Sequence, residues 1–132
     1  MKVTVDTNFI ISATQWDYSV ANKLLKKFIV SNVKIFTTQD ILDETAKVLE
    51  RDFKYDKDEV RDIIEKILLF AVPIEPKQKV NIIKDDPDDN KVIECTLESS
   101  SDIIVTYDKH LLKISEYKDI KIVKPEDIIG DL

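Results

Sequence analysis

The chain holds one glycine, one cysteine and one histidine among 132 residues. A single glycine rules out a glycine-rich phosphate loop, and the nucleotide-triphosphate enzymes built on one. A single cysteine, Cys95, has no partner for an intramolecular disulfide, and its expected place is a small core position on a helix. No apolar run is long enough to span a bilayer and no signal peptide is recognisable, so no membrane partner is expected and the default compartment is the cytoplasm. Basic residues are also short: 20 Lys and Arg face 26 Asp and Glu, a formal charge of −6. Affinity for a polyanion rests on Lys and Arg neutralising phosphates, so this balance argues against a protein that coats nucleic acid. It leaves room for a metal-dependent nuclease, whose bound cations reverse the local sign.

What is present describes one compact, helix-rich domain spanning 1–132: 43% apolar and 35% charged residues, in a chain long enough to bury roughly two-thirds of its unfolded surface. Lys2-Val3-Thr4-Val5-Asp6-Thr7-Asn8 reads as a buried strand that stops on an aspartate, with apolar Phe9, Ile10 and Ile11 following. Val20, Ala21, Leu24, Leu25, Phe28 and Ile29 predict an amphipathic helix to about residue 31. Lys34 to Thr38 reads as a second strand, and Thr37 or Thr38 can cap a helix with Ile41, Leu42, Thr45, Val48, Leu49 and Phe53 on one face. A further helix from about Asp58 to Phe70 completes a helical arm. Ala71 to Ile74 is an edge-strand candidate, since Pro73 lacks the donor a central strand needs. Val80 to Ile83 is a second short stretch, and Pro87 opens a helix that ends near Ser99-Ser100-Ser101. Asp102 to Asp108 is the second clear buried strand. A short helix at Leu111, Leu112 and Ile114, a last strand from Ile120 to Val123 and a terminal turn from Pro125 to Ile129, stopped by Gly130, follow. Strands alternating with helices give an α/β fold with a mainly parallel sheet.

Function lies in the acids. In open α/β sheets the working crevice lies beyond the carboxyl ends of the strands. Asp6 and Asp108 end two buried strands, and Asp89 begins the helix that feeds the second of them, so connectivity brings it to the same edge. On its own helix Glu44 falls on the flank, about 100° from the centre of the apolar face, whereas Asp43 and Glu50 point away as solvated acids. Carboxylates gathered in one cleft raise one another's pKa unless a cation intervenes. Mg²⁺ or Mn²⁺ takes such oxygen ligands, lowers the pKa of a bound water and neutralises charge on a phosphodiester in reaction. The chemistry implied is phosphodiester hydrolysis.

Four segments now resemble one family. Val5-Asp6-Thr7-Asn8, Ile41-Leu42-Asp43-Glu44, Asp86-Pro87-Asp88-Asp89-Asn90-Lys91 and the run from Ile104 to Leu112 are similar, in order and spacing, to PIN domains, in the branch of toxin components related to VapC-type ribonucleases. The resemblance covers essentially the whole chain. It implies a three-layer α/β/α domain with sheet order 3-2-1-4-5, metal-binding acids at Asp6, Glu44, Asp89 and Asp108, and polar supports at Asn8 and Thr106. Asp86, Asp88 and Asp89 compete for one of these roles, and the spacing to Val105 and Thr106 favours Asp89. Where the family often carries a small residue and a second acid, this chain has Tyr107 and His110. The implied activity is a cytoplasmic Mg²⁺- or Mn²⁺-dependent endoribonuclease, the toxin of a toxin–antitoxin pair. A small antitoxin would insert a basic side chain among the acids, and a homodimer would form through the arm around residues 40 to 70.

Plainer readings stand beside these. A strand-terminal aspartate is often only a turn or cap residue, and Asp85, Asp86 and Asp88 read as a solvated loop with capping duties. His110 reads as an exposed helix residue without a catalytic role. Trp16 and Tyr18 suit packing better than base stacking. Lys109, Lys113, Lys118, Lys121 and Lys124 read as a solvated face, with a phosphate-contacting rim as the alternative. The rival functions are a catalytically degenerate PIN-like module binding RNA or protein, and a phospho-acceptor receiver, which wants paired acids where the first strand supplies only Asp6.

Overall fold

The structure is a computed structural model that describes residues 1–84 and 86–132; Asp85, read above as part of the capping loop, lies outside the described residues. In chain order the elements are β1 (Lys2–Val5), α1 (Thr7–Gln15), α2 (Val20–Val30), β2 (Lys34–Thr38), α3 (Gln39–Phe53), α4 (Lys57–Ile67) and β3 (Ala71–Ile74). A 3₁₀ turn over Pro87–Asp89 leads into α5 (Asn90–Ser99), followed by β4 (Ile103–Val105), α6 (Lys109–Ile114), β5 (Glu116–Tyr117), β6 (Ile120–Val123) and α7 (Pro125–Ile128).

The sheet order is β3-β2-β1-β4-β6-β5, all neighbours parallel except the β5–β6 pair. The expected α/β class and mainly parallel sheet are found, and the five parallel strands follow the expected order. The correction is the added antiparallel edge strand β5. It arises because Lys118 and Asp119 both take positive φ (48° and 69°), the geometry of a tight two-residue hairpin turn that usually advertises itself with Asn-Gly.

β1 lies at the centre of the sheet, with Val3 opposite Ile35 and Ile103, and Val5 opposite Val105. Val3 and Val5 are fully buried, each worth roughly 1.5–3 kcal/mol of hydrophobic stabilisation. Parallel neighbours need crossover connections, and helices supply them here. α1 packs on α2 and α3, and α3 on α4, while α5 runs against β1, β2, β3 and β4. A smaller apolar cluster of Ile11, Leu49 and Val60 ties α1 to the arm. Cys95 is a core residue, as expected, and burial pushes its thiol up to about 12.

Four local departures bear on the site. The apolar run after Asp6 is a helix: Asp6 caps α1 directly, so Phe9, Ile10 and Ala13 bury one side of it. β4 is three residues long, and Thr106 to Asp108 leave the sheet so that Asp108 can cap α6. Val80 to Ile83 form no strand. Their N–H groups go instead to side chains of α5: Val80 to Glu94 Oε2 (2.9 Å), and Ile82 and Ile83 to Asn90 Oδ1 (2.9 Å each). Gly130 does not stop the last helix, because a 3₁₀ turn over Ile129–Asp131 runs through it.

Candidate metal centre

Two of the expected acids are fixed by helix N-termini at the ends of adjacent parallel strands. Asp6 is 5% exposed; its Oδ1 accepts the Phe9 N–H at 2.9 Å, and its Oδ2 accepts the Thr106 hydroxyl. Thr106 Oγ1 in turn accepts the Asp108 N–H at 2.9 Å, and Asp108 Oδ1 accepts the N–H groups of His110 (2.8 Å) and Leu111 (3.2 Å). One threonine therefore couples the two carboxylates. Both caps place negative charge where the exposed N–H groups of a helix favour it.

The facing acids come from the turn before α5. Asp86 caps this turn by accepting the Asp88 N–H at 3.3 Å, as expected of a capping residue, but it is half-buried rather than solvated. In a 3₁₀ turn residues three apart lie on the same side, which brings Asp86 alongside Asp89. Asp88 is exposed and pairs with Lys91 at 3.6 Å. Oxygens of Asp86, Asp89 and Asp108 and a ring nitrogen of His110 lie within 4.8 Å of one another. Asp6 is joined to this group through Thr106. Glu44 on α3 is exposed and stands outside it, lining the same cleft of about 110 Å³ with Asp6, Thr7, Asn8, Asp86, Asp88, Asp89 and Asp108.

Electrostatics mark the cleft as overcharged. Burial, reinforced by the carboxylates of Asp108 and Asp86, pushes Asp89 up to about 8. Burial raises Asp6 to about 6 against the lowering effect of its hydrogen bonds to Thr106 and Phe9. Glu44 is also raised, first by partial desolvation of its carboxyl group at the cleft mouth and then by Asp88 and Asp86, with Lys91 opposing. Two atoms in the cleft, Asp89 Oδ2 and His110 Nδ1, are buried without a hydrogen-bond partner. Oxygen-rich donors with an orphaned buried carboxylate oxygen fit a divalent cation.

His110, expected to be an exposed helix residue, and Asp86, one of the three aspartates competing for a single role, both stand in this cluster. His110 is only 31% exposed in its side chain, with Nδ1 3.7 Å from both Asp89 and Asp108. Its signal was its place two residues past a capping acid, on the first turn of α6. The five lysines around α6 and β6 are exposed, as their ordinary reading held, and Lys118 and Lys121 border a cavity at the opposite, Asp102 end of the strands. Trp16 packs on Phe53 at 5.5 Å, whereas Tyr18 is 82% exposed.

A mostly parallel sheet with carboxylates gathered beyond its strand ends defines an α/β domain of nuclease type, with an acidic cluster able to hold metal. The PIN domain model matches residues 2–110, and the chain belongs to the PIN domain family, whose members are generally metal-dependent nucleases acting on RNA. It is 32% identical over 127 residues to an uncharacterized protein of Methanocaldococcus jannaschii, the match covering 92% of this chain and 81% of that protein. No helix among the described residues is long and apolar enough to cross a membrane.

Proposed function

We propose that this protein is a metal-dependent endoribonuclease and the toxin of a toxin–antitoxin pair. The observation that carries the reading is the orphaned Asp89 Oδ2 in an acidic cleft where burial raises the pKa of both Asp89 and Asp6. Asp6, Asp89 and Asp108 hold Mg²⁺ or Mn²⁺; when bound, the ion supplies a water of lowered pKa and neutralises charge on the phosphodiester. Thr106 keeps Asp6 and Asp108 aimed at one point. Glu44, at the mouth, ligates the ion or orients the water, and Asn8 stands beside it as a polar contact for the substrate. The cleft opens past Glu44 into a groove of about 370 Å³ where Lys47, Arg51 and Lys91 stand among Asp40, Asp43 and Asp88, so an RNA backbone lying there relies on the bound cation as well as on these bases.

An antitoxin fits this reading by laying a basic side chain over the cleft. A homodimer would form through the α3–α4 arm, beyond whose end Leu69 is 86% exposed. The test is cleavage of a labelled, partly structured RNA with Mn²⁺, Mg²⁺ or chelator, by the protein and by Asp6→Asn and Asp89→Asn. Metal-dependent cutting lost in both variants is expected. Absence of both cutting and calorimetric metal binding would favour a degenerate binding module instead.

A further inference from the structure

Resting on the metal-centre reading above, we infer that His110 Nδ1 is a ligand of that centre, which makes it a mixed nitrogen–oxygen site preferring Mn²⁺ to Mg²⁺. Nδ1 is buried and has no hydrogen-bond partner. It lies 3.7 Å from Asp89 Oδ2, which is equally orphaned, and 3.7 Å from Asp108 Oδ1. These separations are too long for hydrogen bonds. They suit donors sharing one ion, because ligand atoms each about 2.1 Å from a cation stand roughly 3 to 4 Å apart.

The backbone fixes this placement. The His110 N–H donates to Asp108 Oδ1 at 2.8 Å, which holds the residue's main chain on the first turn of α6, within reach of the acids. Where a second acid would give an all-oxygen site suited to Mg²⁺, an imidazole shifts the preference. Mg²⁺ favours oxygen and water, whereas first-row transition cations accept imidazole readily.

His110 is the only histidine in the chain, which makes the test specific. Tag-free full-length protein loaded with Mn²⁺ is examined by pulsed electron paramagnetic resonance, once at natural abundance and once with ¹⁵N-histidine. A nitrogen coupling that changes on histidine labelling is expected. Calorimetry should show His110→Ala binding Mn²⁺ at least about tenfold more weakly while Mg²⁺ affinity changes less than about twofold. A Mn²⁺-loaded protein that cleaves RNA but carries no histidine coupling would overturn the nitrogen ligand and leave the nuclease reading standing. Failure to bind Mn²⁺ at all would overturn both. The spectroscopic arm needs no variant, so it is unaffected if His110→Ala folds poorly.

Discussion

The two walls of the acidic cleft are held by different means. Asp6 and Asp108 sit just past the ends of β1 and β4, whose register pairs Val5 with Val105, and helix N–H groups and Thr106 finish the job. Asp86 and Asp89 follow a segment that has no place in the sheet. That segment is fastened to one face of α5 by side chains four residues apart: Asn90, Glu94 and Glu98, the last accepting the Lys77 N–H at 2.9 Å. Asn90 also donates to the carbonyls of Ile83 and Pro87, at 3.0 Å each. The first wall is backbone architecture, whereas the second depends on a few side chains and is correspondingly easier to lose.

Asn90→Ala should have the largest effect. It removes all four hydrogen bonds made by the Asn90 side chain and leaves the Ile82 and Ile83 N–H groups of this segment, a strap laid along α5, unpaired, a loss of about 4 kcal/mol. Urea unfolding measures it, and calorimetry should show metal binding lost with it. If stability falls by less than about 1 kcal/mol, the strap does not hold the second wall as described.

Stability against pH separates the walls next. Asp6 and Asp89 have folded pKa values above their ordinary range, near 6 and 8, so the native state binds more protons than the unfolded chain between about pH 4 and those values. Their contribution to stability is therefore greatest below about pH 4 and falls as pH rises through the two pKa values. Asp6 alone accounts for up to about 3 kcal/mol of that fall. Thermal melts of metal-free protein should show Asp6→Asn flattening the slope between about pH 4 and 6, and Asp89→Asn between about 4 and 8. Metal affinity should rise over the same range, because binding displaces those protons.

Thr106→Val should cost less, about 1–2 kcal/mol, because β1, β4 and the caps keep the first wall in place. Its mark is a further rise in the Asp6 pKa, read by carboxyl-carbon NMR titration. Glu98→Ala is the smallest, within about 0.5 kcal/mol, since it frees one exposed N–H to water. A larger loss would mean that the far end of the strap carries load.

The same contrast explains what could be read from the sequence. Asp6 and Asp108 stood out because strands ending on an acid make a local pattern of β-branched residues followed by a carboxylate. Thr38 as a cap, Pro73 as an edge marker and Pro87 as a helix entry are equally local, and the structure has all three in those places. The strap was not legible, because Asn90 and Glu94 look like ordinary helix residues until a segment about ten residues away is laid over them. His110 reads as exposed for a related reason: Asp108 is its neighbour in sequence, but Asp86 and Asp89, which complete its surroundings, come from another element. α1 is hidden in a different way, since the carboxylate of Asp6 serves both as a candidate ligand and as the cap of the next helix, and only the second role marks where that helix begins.

The edges of the sheet carry one more consequence. On one side β3 presents Pro73, which cannot donate to a neighbouring strand; on the other, β5 is two residues long and turns back on β6. Neither edge offers a run of free backbone groups on which another chain could extend the sheet, a common route to uncontrolled aggregation. The sheet is thus closed to growth at both sides, at one edge by a proline ring and at the other by the brevity of its last strand.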